Sequence, residues 1–264
     1  MLEIRVLGGL EARARGAPVE LPPSARVRAL LAWLAVHPGP HPRGSLAGRL
    51  RPDALDESAR TSLRQAAWAL RGALGSGADA WLVSERDFLG LSPDPALVRV
   101  DLAEFRRLAA GGRPEEALAL AGGDLLAGLD EEWAERLREE HRAEVVALLG
   151  ELAARAEAAG DAAGSIEWSR RRVAADPLGE RAARDLIARL ARAGDRAGAV
   201  GAFEALRDRL RRELGIVPSA ETRELVEEVR RGRPAGGRAP EAPSTQPPLP
   251  APLTPAGRFV GRDD

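Results

Sequence analysis

Apolar and polar positions alternate through "LEIRVLGGLEARARGAPVEL" at residues 2–21, with breaks at Gly8-Gly9 and at Gly16-Ala17-Pro18. A period of two belongs to half-buried strands, so this stretch predicts three short antiparallel strands. The period then lengthens. In "SARVRALLAWLAVHPG", Val27, Leu30, Leu31 and Leu34 fall on one face of a helix, with Ser24 in position to cap it and Pro38-Gly39 to stop it. "RGSLAGRL" predicts a short second helix anchored by Leu46 and Leu50. "RPDALDE" interrupts the pattern, and Asp53 or Asp56 is placed to cap a third helix, "ESARTSLRQAAWALRGAL" at 57–74. After Gly75-Ser76-Gly77, "AWLVSERDFLGLSPD" reads as two strands about a turn at Glu85-Arg86-Asp87, with Trp81, Val83, Phe88 and Leu91 on the inner face.

These elements make residues 1–97 a small α+β domain. Their order is more telling than their content. Two short helices with a tight connection, then a β-hairpin, spell a helix-turn-helix with a wing, which presents its last helix to the major groove. From 98 to 231 the pattern is helical throughout. "AAGDAAGSIEWSRRRVAADP" at 158–177 recurs as "RAGDRAGAVGAFEALRDRLRRELGIVP" from 192, so Gly160-Asp161 and Gly194-Asp195 stand 34 residues apart. "AGGRPEEALALAGG" at 110–123 is a more divergent third copy. That period, with a Pro after the second helix, is the tetratricopeptide pattern, in which helix pairs stack because none buries its apolar face alone. Trp133, Trp168 and Phe203 recur at apolar positions and are expected in the core. Residues 232–257 are rich in proline and poor in large apolar residues, as in an extended linker, and "RFVGRDD" at 258–264 reads as the start of a further folded unit. The expected fold is therefore mainly α: an N-terminal α+β winged helix-turn-helix, an all-α tetratricopeptide-like domain and a disordered Pro-rich tail.

The third helix carries two stripes. Leu63, Leu70 and Leu74 lie within about 40° of one another, and Arg60, Arg64 and Arg71 form a second line roughly 80° further round. The leucines call for a core. The arginines suit either solvent, the ordinary fate of charge on a helix's outer face, or an anion.

Composition narrows the chemistry. Cysteine is absent, and His37, His41 and His141 show no metal-ligand spacing, which excludes thiolate chemistry and leaves no metal set. All 39 basic residues are arginine, so neither a catalytic lysine nor a Walker A loop lies within these residues. No nucleophile–base pair or phosphate loop appears, and no enzyme activity or cofactor is expected. No apolar run reaches the roughly 18 to 20 residues that span a bilayer, and the first residues lack a signal peptide's basic and apolar regions, so a cytoplasmic protein is expected. Residues 1–100 carry 13 Arg against 10 Asp and Glu, whereas residues 101–231 carry 22 against 27. A mildly basic head on an acidic body suits a nucleic-acid reader joined to a protein-contacting module. The acidic run at 130–140 is read as a solvated helix face.

"IRVLGGLEARARGAPVEL", "ARVRALLAWLAVHPG", "ARTSLRQAAWALRGALG", "LLAGLDEEWAERLREEHRAEV" and "DPLGERAARDLIARLARAGDRAGAVGAFEALRDRLRRELGIVPSAETREL" together resemble the Streptomyces antibiotic regulatory protein family. The resemblance spans residues 1–231 and lies in order and spacing more than in any single motif. It implies an OmpR/PhoB-type winged helix and a bacterial transcriptional activation domain. It also implies an activator that binds double-stranded DNA at promoter direct repeats, as a dimer at least on DNA, and recruits RNA polymerase and sigma factor, the last through "RPDALDE". "RFVGRDD" is similar to the opening of the nucleotide-binding domain of larger members. Two features depart from the family: Arg51 stands where an aromatic usually precedes "PD", and the wing reads "ERDFLGL".

On this reading Arg60, Thr61, Arg64, Gln65, Trp68 and Arg71 are the candidates on the inserted helix. Arginine bridges guanine O6 and N7 or holds a phosphate, and glutamine reads adenine. Trp68 either packs against the hairpin or touches a sugar or thymine methyl. Arg28, Arg43 and Arg49, on or before the first two helices, and Arg86 at the wing tip are candidates for backbone contact. A tetratricopeptide scaffold whose winged helix binds protein instead of DNA is the alternative.

Overall fold

The computed structural model describes residues 1–52 and 54–232. The expected linker from 233 on, the unit at 258–264 and the Asp53 cap lie outside the described residues.

Strand β1 (Leu2–Arg5) pairs antiparallel with β2 (Glu11–Ala14), with Leu2 opposite Ala14 and Ile4 opposite Ala12. Alternation sends Leu2 and Ile4 into the core and leaves Arg5 outside. The third expected strand, β3 (Ala17–Pro18), is only two residues long; Arg15 and Gly16, both at positive φ, turn the chain into it. Helix α1 (Ala25–Val36) is buried more completely than one leucine face implies, since Ala29, Ala32, Trp33, Ala35 and Val36 are also inside. It is the central helix of the unit. Ser24 occupies the cap position, but its carbonyl, not its hydroxyl, receives the N–H groups of Val27 and Arg28.

A short strand β4 (Pro40–Pro42) precedes α2 (Arg43–Leu50), and α3 (Asp56–Leu74) follows. The cap expected at Asp56 is displaced, because α3 starts one residue earlier than that role allows. Leu55 holds the cap position, and Asp56 and Glu57 instead place negative charge in the first turn, where it complements the helix dipole. A one-turn helix α4 (Ala78–Trp81) leads into the wing, β5 (Leu82–Ser84) and β6 (Phe88–Leu91). Here the expected inner face shifts: Leu82, Leu89 and Leu91 are buried with Trp81, whereas Val83 is half-buried and Phe88 is 40% exposed. Because Trp81 ends a helix, the strand begins one residue later, and a one-residue slip exchanges the faces. β4 pairs with β6, making the wing three-stranded. Two prolines hid β4 from the strand pattern, and both are tolerated because it is an edge strand.

β7 (Val98–Val100) adds to β1 in parallel and completes a sheet of order β3-β2-β1-β7. From there the chain is helical: α5 (Asp101–Ala110), α6 (Pro114–Leu120), α7 (Glu132–Ala158), α8 (Ala162–Ala175), α9 (Glu180–Arg192), α10 (Arg196–Leu214) and α11 (Ala220–Arg230). The 34-residue repeat is physical. Gly160 and Gly194 both turn at positive φ, and the next aspartates cap the second helix of each pair, Asp161 accepting from Gly164 N at 2.8 Å and Asp195 from Gly198 N at 2.7 Å. The divergent copy is α5–α6, where Gly112 turns the chain but Arg113-Pro114 replaces the capping aspartate. Ion pairs tie successive repeats, Arg189 to Glu157 at 3.0 Å and Arg184 to Glu221 at 3.2 Å. Phe203 is buried, whereas Trp133 and Trp168 are half-buried against core clusters.

One apolar cluster runs without a break from the sheet through α1 and α3 to Phe105, Leu125, Leu126 and Ala134. Backbone bonds reinforce it: Leu126 N donates to Val6 O at 2.7 Å and Ala127 N to Gly8 O at 2.7 Å, while the Asp101 carboxylate accepts from Val6 N and Leu7 N. Arg138 donates to the carbonyls of Leu125, Leu126 and Leu129, pinning that loop on α7.

Candidate nucleic-acid interface

Helix α3 separates its two stripes cleanly. Ala59, Leu63, Ala66, Leu70 and Leu74 are buried, against α1 among others. On the other side Glu57, Arg60, Arg64, Gln65, Trp68 and Arg71 are exposed, with Thr61 half-exposed beside them. At about 100° per residue the exposed set fills an arc of roughly 140° with Trp68 near its centre. Trp68 is 79% exposed, so it does not pack against the hairpin.

The arginines of this face differ in freedom. The Arg64 guanidinium donates to Thr61 Oγ1 at 3.0 Å, which lays it along the helix toward its N-terminus. Arg71 is ion-paired with Asp79, at the start of α4. No local period in the sequence signals this pair, because Asp79 lies eight residues on, beyond the end of α3, whereas helical pairing acts three or four residues away. Arg60 has no ion-pair partner among the described residues.

Around α3 the remaining candidates divide. Arg86 is exposed at the β5–β6 turn. Arg43, at the first position of α2, donates from Nε to Glu85 O at 3.0 Å and from a terminal nitrogen to Ser84 Oγ at 2.9 Å, while its backbone N–H donates to Asp87 O. It fastens the wing tip to α2. Arg28 is half-buried on α1, and the Arg49 guanidinium lies 5.0 Å over the Trp33 ring. Leu55, in the loop that introduces α3, is 85% exposed.

Behind α1 a cluster of rings joins the two units. Trp33 stacks on His37 at 3.8 Å and meets Trp133 of α7 edge-on at 5.0 Å. Burial pushes the His37 pKa down, against the hydrogen bond to the Trp33 carbonyl, and the cations of Arg49 and Arg106 add to the shift. A neutral ring is thus favoured at this seam. Among the described residues no helix is long and apolar enough to cross a membrane, and no group of His, Asp and Glu is placed to hold a metal ion.

The family model of the bacterial transcriptional activator domain matches residues 96–230. Among solved structures, Mycobacterium tuberculosis EmbR in complex with a low-affinity phosphopeptide is similar to this chain, with a TM-score of 0.67 and 25% identity over a match that covers 88% of this chain. The chain spans 66% of the length of that structure. No curated protein matches the chain.

Proposed function

Since the chain belongs to the bacterial transcriptional activator domain family, of the Streptomyces antibiotic regulatory protein type, we propose that it is a sequence-specific DNA-binding activator that inserts α3 into the major groove. The observation that carries this reading is the exposed face of α3, where Arg60, Arg64, Gln65 and Trp68 point outward from a helix seated by buried leucines. Three donors on one helical face match the acceptors of base edges and phosphates. Arg86 at the wing tip touches the DNA backbone, while Arg43 acts by holding the wing and Arg71, paired with Asp79, lies beside the phosphates. The operator consists of direct repeats, one protomer of a dimer on each. The exposed Leu55 and its loop face RNA polymerase and sigma factor, and the tetratricopeptide-like helices, from about residue 98, carry self-association.

The test is a gel shift on duplexes selected from a random library. Wild type gives a discrete complex whose affinity falls steeply with salt, because phosphate contacts release counterions. Arg64→Ala weakens it by about 1 to 3 kcal/mol, the worth of a bidentate base contact, with unchanged helical circular dichroism. If no duplex is bound better than random competitor at moderate salt, the protein is instead a tetratricopeptide scaffold, a reading the 34-residue repeat favours.

A further inference from the structure

Five tryptophans occur in the chain, and four of them are buried or half-buried. Trp68 is 79% exposed, in the middle of the outward face of α3. Elsewhere arginine covers a tryptophan ring: Arg49 lies over Trp33 at 5.0 Å, and Arg171, three residues after Trp168, lies over that ring at 4.6 Å. On α3, Arg71 stands three residues after Trp68, as Arg171 does after Trp168, and Arg64 stands four residues before Trp68. Neither covers it. Arg71 is drawn to Asp79, and Arg64 turns back to Thr61. Two polar contacts thus hold both guanidiniums off the indole and leave its faces bare, between the cations that would flank a polyanion.

We propose that Trp68 is a specificity-determining residue that reads the 5-methyl group of a thymine in the major groove. This rests on the DNA-binding reading above and names what the centre of α3 recognises. An indole has one N–H donor, no acceptor and two broad apolar faces, so it gains little from a phosphate. In the major groove the thymine methyl is the apolar feature among donors and acceptors, and contact with it distinguishes T·A from C·G at that position. Ion-paired Arg71 and Arg64, turned back to the Thr61 hydroxyl, flank the ring on either side as it meets the base edge. A protein partner for the same ring is disfavoured by its setting, since no other large apolar residue lies on that face of α3.

The experiment uses the whole chain and duplexes that it selects from a random library. Each thymine of a selected site is replaced in turn by deoxyuridine, which removes only the methyl group. In wild type one position per half-site weakens binding about three- to fivefold, as one methyl group returned to water requires. Trp68→Ala binds more weakly, is indifferent to deoxyuridine there, and keeps the salt dependence of wild type, because a neutral side chain displaces no counterion. Trp68→Phe restores part of the deoxyuridine effect, which a merely structural role would not do. The proposal is overturned if Trp68→Ala matches wild-type affinity, if deoxyuridine affects the two proteins equally at every position, or if the salt dependence falls with the affinity. Failure of wild type to select any duplex overturns the DNA-binding reading itself, and this one with it.

Discussion

His141 is 4% exposed on α7, with Phe105 of α5 edge-on at 4.8 Å and its Nδ1 3.4 Å from a Glu144 oxygen. Burial pushes its pKa below the ordinary histidine value, with Glu144 only partly opposing the shift. As pH falls, the unfolded chain therefore binds the proton first. The stability this residue supports is complete above about pH 6.5 and declines as pH drops below that value. His37, lowered by the same cause, acts in the same direction. Glu180 behaves differently: burial works against its charge, but hydrogen bonds from Ser219 and Thr222 and the cation of Arg184 hold its pKa below the usual carboxylate value. Its contribution is lost only at lower pH, as the solution becomes acid enough to protonate it in the folded protein. Urea midpoints at pH 7.5 and 5.5 are expected to fall with pH in wild type and to fall less in His141→Gln. An equal loss in both proteins would assign the acid sensitivity elsewhere.

At the scale of elements, the wing depends on close backbone approach. Gly90 in β6 faces Pro40 in β4, and a Cβ at position 90 would lie 2.8 Å from the Pro40 Cα and closer still to the Gly39 carbonyl. Both neighbours are backbone and cannot swing aside. Gly90→Ala should therefore destabilise the fold by about 1 to 3 kcal/mol, the usual cost of overpacking, and displace the wing; thermal unfolding measures the first. Gly77 is constrained differently, because the Trp81 indole lies against it where a side chain would stand. Helix α3, by contrast, was largely legible in its sequence. Its leucine stripe predicts the buried face, since seating an amphipathic helix needs only local periodicity. What periodicity did not reveal was the pairing of Arg71 with Asp79, or which way the Trp68 ring would face. The wing is half legible: the sequence places its turn at 85–87, but the prolines of β4 mask that strand, and the helical Trp81 shifts the inner face by one residue.

Over the whole molecule, the winged helix does not end where its own pattern ends. β1 takes β7 as its parallel partner, and the cluster that buries Leu2 and Ile4 continues into Leu102, Phe105, Leu125 and Leu126. A fragment of residues 1–97 lacks all of these and would expose a contiguous apolar surface. It is expected to show poor amide dispersion and early, broad melting, whereas residues 1–232 unfold cooperatively. A well-dispersed spectrum from the 1–97 fragment would show instead that the seam contributes little. In α11, Arg223, Glu224 and Glu228 turn outward, away from Thr222, Val226 and Val229, which are buried.

By itself the sequence determined the longer helices, the 34-residue repeat, the order of helix-turn-helix and wing, and the separation of leucine from arginine on α3. All of these follow from spacings within a few turns of chain, where side-chain direction is fixed by the backbone period. Only the tertiary structure decided that β4 and β7 complete the sheets, that Arg43 holds the wing, that the two units share one core, and that Trp68 stands bare. Each of those depends on groups distant in sequence meeting in space: β1 and β7 are more than ninety residues apart, and no local period encodes which edge accepts a strand or which carboxylate draws a guanidinium aside.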